Sequence, residues 1–118
     1  MNKNCTDIKQ SKKLIELGIE VNTADMVYCV ELYKEGWKYS NEAYPIDGTL
    51  EGDDIPAWSL SALMEYMNRN GYSISLNCNG ALWTVKFDDS ETYHYITSYY
   101  SIDAAFEMIV WLKENKKI

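Results

Sequence analysis

The stretch Tyr72 to Phe87, YSISLNCNGALWTVKF, constrains this chain more than any other. Asn-Gly between two alternating runs is the strongest short-range hairpin signal, because a two-residue type I′ turn needs positive φ at both central positions. With Asn79 and Gly80 as the loop, Cys78 faces Ala81, Leu76 faces Trp83, Ile74 faces Val85 and Tyr72 faces Phe87. Side chains alternate along a strand, so all of these share one face, and Ser73, Ser75, Asn77, Leu82, Thr84 and Lys86 take the other. A slip of one residue would bury the polar set, which fixes the choice of face. A lone hairpin is marginal in water, so this apolar face requires a cover from elsewhere in the chain.

Three helices are expected to supply it. The first starts at Thr6 or Asp7, where Asp7 and Gln10 have the spacing of a capping box, and stops at Gly18. The second falls within Ile55 to Asn70, with Ser59 at its N-cap, an apolar stripe of Leu60, Leu63, Met64 and Met67, and Asn70-Gly71 as its stop. The last opens at Ser101 or Asp103 and carries Ile102, Ala105, Phe106, Ile109 and Leu112 at helical spacing. Ala104, Met108 and Trp111 extend its apolar surface round a second side, wider than one sheet contact needs.

Further strands are expected at Met26 to Tyr33, at Trp37 to Tyr39 after the turn Lys34 to Gly36, and at Thr92 to Tyr99. The register of the last is open. Either His94 and Ile96, or Tyr95 and Thr97, lie beside Val85 and Trp83. Ser40 to Asp54 reads as an irregular acidic loop, a variable insertion in preference to a lid or partner-binding loop. The pattern predicts an α+β domain spanning residues 1–118 in the order α-β-β-α-β-β-β-α. Its architecture is two-layer, with helices on one face of an antiparallel sheet of three to five strands.

Composition bounds the function. The net charge is −7, and from Glu20 to Glu107 there are 15 acids against 4 bases. That balance argues against direct nucleic-acid binding, which needs Lys and Arg on phosphates. No apolar run suits a membrane span or a signal peptide, so a cytoplasmic location is expected. The 3 cysteines, Cys5, Cys29 and Cys78, stand far apart. An odd count without C-x-x-C spacing suits neither a disulfide framework nor a zinc site. Tyrosine is in excess, 10 residues beside 4 tryptophans and 2 phenylalanines. Such side chains join an apolar body to a polar tip and suit half-exposed and interface positions.

Chemistry-bearing patterns are sparse. His94 is the single histidine and has no G-x-S-x-G elbow to accompany it. Asp47, Glu51, Asp53 and Asp54 crowd one loop but lack the residue order of an EF-hand. No phosphate-cradling glycine loop is present. The expectation is therefore no catalytic residue, no cofactor and no metal.

Two resemblances add to this. LIELGIEVNTAD, Leu14 to Asp25, resembles the end of an ankyrin repeat. The chain has no T-P-L-H signature and no 33-residue period, so the stretch reads as a helix stop. CTDIKQSKKLIELGIEVNTADM, IPAWSLSALMEYM and SIDAAFEMIVWLKEN together resemble a family of short uncharacterised proteins of gut anaerobes, often encoded near phage or mobile elements. The resemblance implies a phage-related or accessory setting and transfers no site residue.

The leading expectation is a noncatalytic binding or protein-interaction module that takes a protein partner or self-associates. The candidate surface is Trp111, Met108 and Ala104 on the last helix, together with Tyr93 and Tyr95 on the third strand of the central sheet. The alternative is an acidic inhibitor that imitates nucleic acid and blocks a DNA-handling enzyme. A hydrolase using Asp53, Asp54 or His94 comes third.

Overall fold

The computed structural model describes residues 3–69 and 73–118. Among these it contains three helices and eight strands, the strands arranged in three small antiparallel sheets with helices packed on them. The α+β class is therefore as expected, but one continuous sheet is not what forms. The chain divides into two compact units: Cys5–Ser59, and Leu60–Ile118 joined by Lys3 and Asn4.

The Cys5–Ser59 unit begins with α1, Ile8–Glu16. Both halves of its capping box form: the Gln10 backbone N–H donates to Asp7 Oδ1 at 2.7 Å, and the Asp7 N–H donates to Gln10 Oε1 at 3.1 Å. At the other end Gly18 adopts φ +90°. Its N–H donates to Ile15 and that of Ile19 donates to Leu14, the paired bonds of a Schellman stop. Leu14 and Ile19, which such a stop brings together, are both buried.

The expected strand Met26 to Tyr33 is in fact two, β1 (Met26–Tyr28) and β2 (Val30–Tyr33), and they belong to different sheets. The break is at Cys29, whose carbonyl accepts from the Ser40 N–H at 2.7 Å and whose N–H donates to Ser40 Oγ at 3.1 Å. β2 pairs with β3 (Gly36–Tyr39) through a two-residue turn at Lys34-Glu35. The loop after it is not wholly irregular, because β4 (Tyr44–Pro45) pairs with one edge of β1. β5 (Ile55–Ala57) takes the other edge. These three residues fall in the stretch assigned to the second helix but precede its expected N-cap, Ser59, after which the helix does begin. Pro56 biases its predecessor to extended backbone and is tolerated on a sheet edge.

A polar network ties this unit together. Thr6 N–H donates to the Trp58 carbonyl at 2.9 Å, and Trp58 N–H donates to Thr6 Oγ1 at 3.0 Å. Thr6 Oγ1 also shares a 2.8 Å hydrogen bond with Ser11 Oγ. The Trp58 indole N–H reaches Thr23 Oγ1 at 2.9 Å, and the Tyr28 hydroxyl donates to the Thr6 carbonyl at 3.0 Å. Thr6, Ser11 and Trp58 are fully buried, where an unpaired polar group costs about 1–3 kcal/mol. These bonds therefore help fix the fold of a unit that also buries an apolar cluster of Cys5, Tyr28 and Ala57, with Ile8, Met26, Ala43 and Ile55 beside it, and the side chains of Leu14, Ile19, Val27 and Trp58.

In the second unit α2 runs Leu60–Asn68, directly after Ser59. The helix stop expected at Asn70-Gly71 and the Tyr72–Phe87 pairing lie outside the described residues. β6 (Ile74–Asn79), β7 (Leu82–Asp88) and β8 (Tyr93–Ser98) form a meander with β7 in the centre. The hairpin closes at Gly80-Ala81, one residue later than expected, so Leu76 faces Val85 and Cys78 faces Trp83. Gly80 has φ +66° and Ala81 does not share the positive region. Glycine at the first central position is the pattern of a type II′ turn rather than I′. The displacement is two residues in pairing, so the faces are unchanged. In β8, Ile96 lies opposite Val85 and His94 opposite Phe87. Neither register read from the sequence forms, since Trp83 faces Ser98 and Val85 faces Ile96; the displacement from the first is two residues, so His94 and Ile96 do lie on the inner face.

α3, Ser101–Glu114, covers that face. Trp111 packs on Phe87 with ring centroids 5.6 Å apart, and it stacks on His94 at 4.1 Å with the rings 6° from parallel. Ala104 and Met108, seven and three residues before Trp111, share its side of the helix. The opposite side faces α2, where Lys113 Nζ lies 6.0 Å from the Tyr66 ring. α3 is thus held between sheet and helix, and this explains its wide apolar arc. Its last turn ends on Lys116 at φ 55°, with Lys117 N–H donating to the Leu112 carbonyl.

Candidate functional site

Ala104 and Met108 are fully buried in the core of their unit. They present nothing to a partner, so the expected surface on the last helix is corrected at these two positions. The second apolar side of α3 is the one that lies on the sheet. Trp111 is partly buried there. His94, considered for a hydrolase, has a ring face covered by that indole.

Tyr93 and Tyr95 lie on the opposite face of β8. They are 57% and 58% exposed, with ring centroids 6.0 Å apart. A strand places residues i and i+2 on one face, which sets both rings on the outer surface of the β6–β7–β8 sheet. Leu82 is also exposed and has the outward parity on β7.

A second exposed apolar feature went unnoticed in the sequence. Leu32 and Trp37 are direct cross-strand partners in the β2–β3 hairpin and are 67% and 70% exposed. The readable signal was the Lys34 to Gly36 turn. Taken as three residues it would pair Tyr33 with Trp37; with Gly36 drawn into the strand opposite Tyr33, Trp37 comes to face Leu32.

The other face of that hairpin carries Glu31 and Tyr33. Glu31 accepts from the Tyr33 hydroxyl at 3.3 Å and from the Tyr44 hydroxyl at 3.2 Å, one phenol on each carboxylate oxygen. The Tyr44 phenol is held above its usual pKa by the Glu31 charge and hydrogen bond first, and Tyr33 by burial first and then by Glu31. Tyr44 also lines a groove of about 330 Å³ between β1, β4 and the following loop. Val27, Pro45, Ile46 and Leu50 give it apolar walls, and Asp47, Glu51 and Asp54 give it carboxylates. Cys29 lies in the same groove. Burial first, then the charges of Asp54 and Glu31, push its thiol pKa up. That is the reverse of what a cysteine nucleophile requires.

The acids of this loop do not converge. Among the described residues no set of three or more His, Cys, Asp or Glu side chains is arranged to hold a metal ion. Asp54 Oδ2 instead accepts the Glu51 N–H at 3.4 Å. Of the other cysteines, Cys5 is buried and Cys78 is exposed near the hairpin tip, beyond the cover of the helix. No helix among the described residues is long and apolar enough to cross a membrane. Comparison of the chain with protein-family models, curated proteins and solved structures returned no match.

Proposed function

We propose that this protein is a noncatalytic interaction module that binds another protein, in the phage-related or accessory setting implied by its sequence resemblance. The observation that carries this reading is the placement of large apolar side chains on regular strands with their faces open to solvent. Leu32 and Trp37 form one such pair, and Tyr93 and Tyr95 form another. Tryptophan and tyrosine are the side chains most enriched where binding energy concentrates. Held on strands, they lose little conformational entropy when a partner covers them.

The test compares the wild-type protein with Leu32→Ser/Trp37→Ser and Tyr93→Ser/Tyr95→Ser. Each is immobilised for capture from a lysate of its own source cells and sedimented over a range of concentrations. A partner, or a self-associated species, that disappears with one pair while circular dichroism is unchanged supports the reading. If neither pair alters capture or sedimentation, the exposed aromatics are not a binding surface.

A second reading, the nucleic-acid mimic, is favoured by one observation: charge is divided unevenly between the units. Residues 5–59 hold 11 acids and 5 bases, a balance of −6 out of the total of −7. A mimic presents carboxylates where phosphates would lie and is displaced by duplex DNA from the enzyme it blocks. Failure of the captured partner to bind DNA would remove this reading and leave the first intact.

A further inference from the structure

We propose that the groove beside β4 receives an extended segment of a partner protein carrying lysine or arginine. This deepens the interaction-module reading and rests on it. Three features of the groove select that occupant. Its carboxylates, Asp47, Glu51 and Asp54, lack compensation: among the described residues none of them has a lysine or arginine within ion-pair distance. Negative charge standing along a cleft with low-dielectric walls attracts cations strongly.

Those carboxylates also fail to converge on one point. A compact divalent ion gathers its oxygens into a single shell, so the arrangement suits charges strung along a chain. Finally, the space between them is apolar and aromatic, with Ile46, Leu50 and Tyr44 on the walls. Lysine and arginine lay their methylene stems on such surface while the head group stays with a carboxylate or over a ring.

Size and edge geometry narrow the mode of docking. A volume of about 330 Å³ sits at the lower limit of roughly 300–1,000 Å³ for ligand pockets. That holds a few side chains and not a folded domain. β4 is two residues long and includes Pro45, which has no N–H to offer to an added strand. Recognition therefore falls to side chains rather than to strand addition. The Tyr33 and Tyr44 hydroxyls hold Glu31 in place beside the groove, extending its negative field along the path of the bound segment.

The experiment measures fluorescence anisotropy of a labelled octapeptide of alternating arginine and leucine, with its glutamate-for-arginine counterpart as the control. The wild-type protein is expected to bind the first and not the second, more weakly as sodium chloride is raised. Each exposed ion pair contributes up to about fivefold in affinity. The variant Asp47→Asn/Glu51→Gln/Asp54→Asn is therefore expected to bind about tenfold more weakly. Glu16→Gln/Glu65→Gln/Glu107→Gln removes the same charge from exposed positions elsewhere and is expected to stay within about twofold. Circular dichroism verifies that both variants are folded. Equal loss in the two variants would overturn the proposal, since net charge alone would then account for binding. Absence of wild-type binding at low salt would overturn it too. Neither result touches the interaction reading, which is judged with Trp37 and Leu32 on the opposite face of the β2–β3 hairpin, and with Tyr93 and Tyr95.

Discussion

Replacing Trp111 with alanine separates a core role for this residue from an interface role. Complete burial of a tryptophan removes about 150–250 Å² from water, worth about 4–6 kcal/mol at ~25 cal/mol per Å². Trp111 keeps part of its surface exposed, and an unfolded chain already buries some of the same area, which leaves about 3 kcal/mol. The stack on His94, at 4.1 Å and 6°, adds a coupling of about 0.5–1.5 kcal/mol that a double-mutant cycle isolates. The assay is urea denaturation followed by circular dichroism for the wild type, Trp111→Ala, His94→Ala and the double variant. At about 1–3 kcal/mol per molar urea, Trp111→Ala lowers the midpoint by about 1–3 M. The reasoning is refuted if Trp111→Ala costs less than about 0.5 kcal/mol while light scattering shows a dimer becoming a monomer. Trp111 would then be serving a partner copy rather than the sheet.

Thr6→Val leaves the buried Trp58 N–H without its side-chain acceptor and is expected to cost about 1–3 kcal/mol in the same denaturation experiment. Asp7→Ala removes one half of the α1 capping box and is expected to cost about 1 kcal/mol. Lys116→Gly relieves a left-handed residue at φ 55° and is expected to raise stability by about 1 kcal/mol, visible as a higher melting temperature. The Tyr28 phenol is pushed above its usual pKa by burial first and then by its contact with Cys5. A raised folded value means that its contribution to stability is complete below about pH 10 and is lost as pH rises through the folded value. Tyr28→Phe is expected to flatten the alkaline limb of the stability profile measured by urea titration.

Features set by neighbours in sequence were legible. The Asp7–Gln10 box and the Gly18 stop depend on a few consecutive residues, and both form as read. The faces of the central hairpin were legible for a related reason: alternation distinguishes odd from even positions, and a displacement of two preserves it. The pairing itself depended on which turn the glycine would serve, and Asn79-Gly80 and Gly80-Ala81 both offer acceptable chemistry.

What escaped was decided at long range. Nothing local announces that Ser40 returns to Cys29 and splits one apolar run between two sheets. Tyr44-Pro45 is too short to carry a period, so β4 was hidden in an acidic loop. From the sequence the second side of α3 looks spare, because one sheet contact uses only one stripe of the helix. With α2 on one flank and the sheet on the other, Ala104 and Met108 have no surface left. The candidate groove was legible only as a cluster of acids. Its walls come from β1, β4 and the loop after β4, whose approach the sequence does not encode locally.

Cys5 and Ser59 pair as an isolated antiparallel bridge, and Thr6 bonds to Trp58 beside them. Bridged residues stand about 4.5–5.5 Å apart between Cα atoms. The 5–59 unit therefore leaves and re-enters the rest of the chain at nearly one point, in the manner of a domain inserted into a host loop. In topological terms the unit can be excised and Asn4 rejoined to Leu60 through a short spacer, and circular dichroism of the two products tests whether each folds alone. Each half can then be asked separately which surface it brings to a partner.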